Sequence, residues 1–270
     1  MGRGLWLSRG RLRETCCRPT DRAALHRARC DPDRASFVDV QKKLHVFGRG
    51  GALAFAISAV DIALWDIAGK AANAPLCRLL GGGGSELHCY ASLARYSEPS
   101  LVRAAVRQAI EAGFHTLKLH EIERAAVRAA REEAGPDVEL TLDVNCPWTL
   151  HEARQMAEKL KAIDLKWLEE PLWPPENFDG LATLRDVSGI PIAAGENVYT
   201  LMDFGRLLAA GAVDFVQPSP AKMGGISELR RIFPLATLHN VPVMPHSFFT
   251  MARAFWPQSM RLLRSEQRIP

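Results

Sequence analysis

The sequence predicts an α/β fold in which short parallel strands curl toward a barrel, and three observations predict it. Short apolar runs recur along the chain with helical stretches between them. Seven such runs follow one another, which favours a closed barrel over an open doubly wound sheet. Several runs end on a charged or polar residue, the position where barrels carry their working groups. The runs cover residues 88–93, 115–119, 138–143, 166–169, 191–195, 213–217 and 242–245, and helices are expected over 99–112, 150–163 and 225–239 among others. The strands are short and apolar, as strands buried on both faces should be.

Composition bounds the rest. With 47% of 270 residues hydrophobic, the chain can bury a substantial core in one α/β domain with a small appendage. The net charge of +4 is uneven, with nine arginines inside residues 1–34. That segment lacks helical periodicity, interleaved aromatics and any recognisable binding module, so nucleic acid is not an expected partner. Six cysteines without a CxxC pair or a regular framework indicate a reducing compartment, and the cytoplasm is the expected location. Residues 1–7 have no apolar core for a signal peptide, and no run reads as long enough to span a membrane, so no membrane partner is expected.

Taken in order, residues 1–34 are expected to be irregular. From Phe37 the pattern turns helical, and after Gly48-Arg49-Gly50-Gly51 a helix places Leu53, Ile57, Val60, Leu64 and Ile67 on one face, with Asp61 and Asp66 among its polar positions. Gly69 and Pro75 punctuate its end. The run Gly81-Gly82-Gly83-Gly84 follows a helix, where a phosphate cradle would need to link a strand to a helix, so it reads as a joint.

The chemistry gathers at the strand ends. Trp167-Leu168-Glu169-Glu170-Pro171 closes one apolar run with two acids, Asp143 closes the run before it and Glu196 the run after, at steps of 26 and 27 residues. Lys118 stands 25 residues before Asp143, and Ser219, Lys222 and His246 continue the ladder downstream. Three carboxylates on consecutive strand ends make a hard oxygen site suited to Mg²⁺. His120 and Cys146 raise zinc as an alternative, without its usual ligand spacing. Acids after strands also cap helices or pair with arginines, but three at one spacing favour the metal. Beside a dication and partly desolvated, Lys118 is expected to have a depressed pKa and to serve as a base; His246 would be a second proton-transfer group on the other side.

These residues resemble the enolase superfamily, in its mandelate racemase and muconate lactonizing branch. The resemblance rests on the helix Ala56-Ile57-Ser58-Ala59-Val60-Asp61-Ile62-Ala63-Leu64-Trp65-Asp66-Ile67-Ala68-Gly69-Lys70, on LKLH, DVN, WLEEP and GEN at strand ends, on KMGG at 222–225 and on MPHSF at 244–248, and it runs from about Val38 to about Phe249. It implies a modified (β/α)7β TIM-like barrel with an α+β capping domain. The division it implies is an irregular segment over 1–34, a capping-domain remnant with the signature helix over 35–84, and a barrel domain over 85–270 that is atypical after about 249. Carried across by motif, Asp143, Glu169 and Glu196 hold Mg²⁺, while Lys118 and His246 are catalytic. His120, Asn145, Lys222, Arg49 and His45 are the residues expected to meet the substrate, a small carboxylate of the sugar-acid type. The reaction implied is removal of a proton α to a carboxylate through an enediolate, leading to dehydration, with cycloisomerisation or racemisation as alternatives.

Three departures qualify what the resemblance implies. His120 replaces the second lysine of the family's pair. Ser219 stands where one branch has an aspartate that orients the histidine and another a catalytic lysine; without a carboxylate partner His246 is a weaker base, which favours proton donation and hence dehydration or cycloisomerisation. The capping portion is short and no closing strand is evident, the pattern expected of a truncated relative with an incomplete barrel that relies on association into a homo-oligomer. A degenerate barrel that binds without turnover is the reading from a different class.

Overall fold

The computed structural model describes residues 34–83 and 88–247. The irregular segment expected over most of 1–34, the joint residue Gly84 and the atypical end after about 249 lie outside the described residues. Six parallel strands form one sheet in the order of the sequence: β1 (Ala91–Ser92), β2 (Thr116–Leu119), β3 (Glu139–Asp143), β4 (Leu165–Glu169), β5 (Ile192–Ala194) and β6 (Phe215–Val216). A parallel bridge from Val216 to Val243 puts the seventh apolar run at the next position. Each strand pairs with its sequence neighbour, as successive βα units winding in one direction require. Among the described residues the barrel is incomplete.

The helices are α1 (Arg34–Lys43), α2 (Gly51–Ala72), α3 (Leu76–Leu79), α4 (Pro99–Glu111), α5 (Arg124–Ala134), α6 (Leu150–Leu160), α7 (Phe178–Ser188), α8 (Leu201–Ala209) and α9 (Gly225–Leu238). Helix α6 starts on a capping box, in which Thr149 and Glu152 satisfy each other's backbone N–H groups. The core lies between sheet and helices. Leu117, Leu119, Leu140, Leu142, Leu168 and Ile192 face Val106, Val127, Leu160, Leu184 and Phe204, all fully buried.

Alternation then turns the intervening residues into the lumen: Lys118, Thr141, Asp143, Trp167, Glu169 and Ala193. A register shift between Leu140 and Thr141 sets the site. Leu140 pairs with Leu165 but Thr141 pairs with Trp167, so Asp143 lands opposite Glu169. Without that extra residue on β4, Asp143 would oppose Leu168 and the two acids would be out of step. Under the acids the Trp167 ring packs against Phe215 at 5.0 Å and meets Tyr90 edge-on at 6.5 Å.

Helix α2 corrects the sequence reading in two ways. Its buried face is Ala54, Ile57, Ser58, Asp61 and Trp65, while Val60 and Ile67, assigned inward from their spacing, are 52% and 43% exposed. The reason is polar: the start of α9 needs acceptors for its free N–H groups, and α2 supplies them. Asp61 Oδ2 accepts from Ser227 N at 3.0 Å, Ser58 Oγ accepts from Gly224 N at 2.7 Å, and Trp65 Nε1 donates to Ser227 Oγ at 2.9 Å. Gly225 sits at φ +81°, and a Cβ there would lie 2.2 Å from Asp61 Oδ2, so only glycine admits this approach. The helix is also long and apolar enough to cross a membrane by length and composition, contrary to the expectation that no run is, although here one side of it packs on α9. It runs through Gly69 and stops at Ala72, with Asn73 in the left-handed conformation as its C-cap.

Candidate active site

Three strand ends converge in the lumen. Asp143 ends β3, Glu169 ends β4, and Glu196 follows β5; one oxygen from each lies within 4.8 Å of the others, and all three residues are buried. Lys118 rises from β2 against the first two, its Nζ 2.8 Å from Asp143 Oδ2 and 2.5 Å from Glu169 Oε1. Trp167 Nε1 donates to Glu169 Oε2 at 3.0 Å, which fixes the second oxygen. At the other end of the row, His246 Nε2 lies 2.7 Å from Glu196 Oε2 and Lys222 Nζ 3.3 Å from Glu196 Oε1. Ser219 Oγ meets His246 Nδ1 at 3.3 Å, and the His246 backbone N–H donates to the Pro218 carbonyl at 3.0 Å.

The electrostatics follow from crowding anions where water is scarce. Burial pushes the Glu169 carboxyl up, against the pull of Lys118. Burial would also raise Asp143, but the His120 hydrogen bond and the Lys118 charge override it and hold that carboxyl well below the usual range. For Lys118, burial favours the neutral amine, yet Glu169 and Asp143 together push it well above its ordinary value. The depressed value expected for Lys118 belongs to a lysine beside a dication; facing bare carboxylates, Lys118 is the counter-ion of Asp143 and Glu169.

The other expected residues divide. His120 donates from Nδ1 to the Leu93 carbonyl at 2.5 Å and points Nε2 at Asp143 Oδ2, 3.5 Å away, so it belongs to the group, and that Asp143 contact raises its pKa. Asn145, with φ +56°, directs its backbone N–H and its Nδ2 onto Asp143 Oδ1 at 3.0 and 2.9 Å. Arg49 bonds Gln41 at 3.1 Å and lines a crevice with Tyr199, Met223 and Gly224 beside the Lys222 loop. His45 stays apart, exposed, donating from Nδ1 to the Lys42 carbonyl at 2.7 Å. Cys146 faces Glu170 Oε2 at 3.3 Å, outside the converging group of Asp143, Glu169 and Glu196, and burial pushes its thiol up. Glu170 turns away from the row at φ +46° and accepts from Gly195 N at 2.9 Å; burial raises its carboxyl to about 7.

Sequence reasoning missed Arg95, Glu121 and Gln217. Gln217, one residue past β6, donates to Glu169, and its Oε1 is buried without a partner among the described residues. Arg95 lies in a loop without periodicity, and Glu121 follows His120 directly at a strand end, where its acid could have been noticed.

The donor set decides what the site can hold. It is made of oxygens alone, three of them anionic at close range, with an unmet acceptor on Gln217 beside Glu169. Such a set fits Mg²⁺ and disfavours soft cations. Parallel strands winding toward a barrel, with acids on successive strand ends, define a class of α/β proteins whose site is fit to hold a hard divalent cation. Residues 101–258 match the family described as enolase C-terminal domain-like, and residues 31–81 match the mandelate racemase/muconate lactonizing enzyme N-terminal domain. The chain belongs to the mandelate racemase/muconate lactonizing family of the enolase superfamily.

Among its relatives, the D-galactarolactone cycloisomerase of Agrobacterium fabrum is 35% identical over 75% of this chain and 56% of its own length. The arabinonate dehydratase of Saccharolobus solfataricus is 35% identical over 74% of this chain and 56% of its own. A solved racemase from Streptomyces coelicolor with bound magnesium superposes with a TM-score of 0.75 at 30% identity, covering 88% of this chain and 71% of that one. The chain thus spans just over half the length of these two curated relatives.

Proposed function

We propose that this chain binds Mg²⁺ through Asp143, Glu169 and Glu196 and removes the proton α to the carboxylate of a sugar acid, as the first step of a dehydration. One observation carries the reading: the carboxylate row has Lys118 at one end and His246 at the other, each in direct contact with a carboxylate of the row. When bound, the ion offsets the negative charge that develops on the substrate carboxylate as the α-proton leaves.

The chain's own residues do the rest. With the acids neutralised from the other side, Lys118 is released from its role as counter-ion and can take the α-proton at Nζ. Asn145 and His120 hold Asp143, and the Trp167 indole holds Glu169, so the row keeps its shape while charge moves. His246 gives a proton to the departing β-hydroxyl, which leaves as water. The C–H pair becomes the C=C bond of an enol that tautomerises to a 2-keto acid, so atoms and charge balance.

Ser219 favours elimination over two-base racemisation. A hydroxyl at Nδ1 orients the ring without adding charge on that side; the carboxylate that the sequence did not lead one to expect at His246 is Glu196, at Nε2, and this proposal commits it to the cation. Cycloisomerisation is the second reading, supported by a cycloisomerase among the close relatives, and it uses the same two groups. The cytoplasm belongs to this proposal, since the relatives' names are those of metabolic enzymes, and so does a homo-oligomeric state, which would cover the open edge of an incomplete barrel.

The test offers aldonic and aldaric acids in heavy water with Mg²⁺. We expect α-deuterium incorporation or 2-keto acid formation, lost in Lys118→Ala. His246→Asn is expected to keep exchange and lose 2-keto acid. Exchange at the parent rate in Lys118→Ala contradicts the assignment.

A further inference from the structure

Outside the row, one pair of side chains is built into the site's edge with no role in the steps above. Glu121, immediately after His120, is 1% exposed, yet its partners are neither lysine nor arginine. Its two oxygens accept the backbone N–H groups of Tyr96 at 2.7 Å and Ser97 at 2.9 Å, in the loop that leaves β1. Ser97 is held there at φ +63°, a conformation a serine adopts at a cost unless its surroundings fix it. Both oxygens of a buried acid are thus spent on the shape of one short loop.

That loop carries Arg95. Its Nε donates to the His120 carbonyl at 2.5 Å and its Nη2 to Asn145 Oδ1 at 3.2 Å, so one planar guanidinium ties the end of β2 to the turn after β3. Asn145 uses its remaining donors on Asp143 Oδ1, and His120 directs Nε2 to Asp143 Oδ2. Asn145, through its amide oxygen, and His120, through its backbone carbonyl, therefore converge on Arg95. With its amide oxygen engaged by Arg95, Asn145 must turn its NH₂ toward Asp143; this fixes the amide orientation that makes it a donor to the carboxylate.

We infer that Arg95, held by the Glu121 clamp, is a positioning residue that sets Asn145 and His120 around Asp143 and so preorganises the cation site. The inference rests on the proposed function for its consequence but not for its geometry. Lysine cannot replace this arginine, because a single ammonium cannot reproduce a rigid fork aimed at two acceptors on different strands. Removing a group bonded directly to a ligand, as Asn145 and His120 are to Asp143, typically costs about 10–100-fold in metal affinity, and Arg95, one bond further out, belongs at the low end of that range.

The experiment titrates Mg²⁺ alone, by calorimetry, into the full chain and its variants, and follows amide hydrogen exchange over residues 143–147. Arg95→Ala is expected to weaken Mg²⁺ binding about tenfold, to speed exchange over 143–147, and to leave the melting temperature unchanged because Arg95 is exposed. Arg95→Lys is expected to recover little. Glu121→Gln alters a side chain whose bonds are to Tyr96 N and Ser97 N and not to the Asn145 or His120 side chains, yet is expected to show the same loss. The double variant should then be no worse than Arg95→Ala, since both act through one guanidinium. If Glu121→Gln does not fold, the two arginine variants decide alone. Parent affinity and parent exchange in Arg95→Ala overturn the inference, as does a double variant whose losses add. A parent that takes no Mg²⁺ counts against the proposed function, and the exchange over 143–147 still decides this inference.

Discussion

Among the acids that the chain buries, those at two places are buried for different reasons. At the α2–α9 seam a single carboxylate, Asp61, faces backbone donors; burial raises its pKa, and Ser227 and Ile226 lower it through hydrogen bonds. In the lumen three carboxylates face one another, with Lys118 wedged against two of them. The first arrangement is complete as it stands, because each orphan donor of α9 that reaches α2 finds its acceptor. The second sets three acids against Lys118 and Lys222, with His120 and His246 at its ends, so its carboxylates face one another and mobile charges in place of fixed backbone donors. A buried acid is thus read by its partners: donors that need satisfying mark structure, and converging acids mark a cation site.

Substitutions can separate the two regions, and the largest effect belongs to the lumen. Glu169→Gln should lower α-proton exchange by at least about 1000-fold while the protein stays folded, since it removes one ligand charge and the partner of Lys118. Deuterium incorporation followed by NMR measures it, and residual exchange near the parent level would assign the row a structural role.

Glu170 tests the boundary between the regions, since it lies beside the row and points away from it. Its carboxyl rises from 4.5 to about 7 on folding. Below about pH 4.5 the folded and unfolded chains both hold the proton, and between that value and about 7 only the folded chain does. Stability therefore falls as pH rises through this window, by on the order of 3 kcal/mol. Glu170→Gln, which cannot ionise, should lose this slope and gain stability over the parent at pH 8, as denaturant melts at pH 4 and pH 8 would show.

The smallest effect is expected at the seam. Asp61→Ala leaves Ser227 N unsatisfied and should cost about 1–3 kcal/mol in stability, with Mg²⁺ affinity of the folded protein unchanged in calorimetry. A loss of affinity would mean that the seam and the site are one unit.

Much of this contrast could be read from the sequence, and the reasons it could not all be read are specific. Strand positions and the acid ladder were legible because barrel units repeat at a near-constant length, which carries Asp143, Glu169 and Glu196 to equivalent heights. The inward face of α2 was not, because apolar spacing cannot show that Ser58 and Asp61 turn inward to serve another helix 166 residues away. The register shift at Leu140 and Thr141 left no pattern either, although it is what sets Asp143 opposite Glu169. Arg95 and Glu121 escaped for a related reason, since a loop held by its own backbone donors has no periodicity to find. The contacts of Lys118 with both Asp143 and Glu169, at 2.8 and 2.5 Å, were not legible either, because spacing along the chain does not give distances across strands.

The measurement closest to the central claim is a calorimetric titration of Mg²⁺ into the folded chain, run beside Glu196→Gln. The account predicts one ion per chain in the parent and binding weakened by at least about 100-fold in the variant, because one of the three anionic ligands is gone. A folded parent that takes up no Mg²⁺, or a variant that binds it as the parent does, would contradict the account.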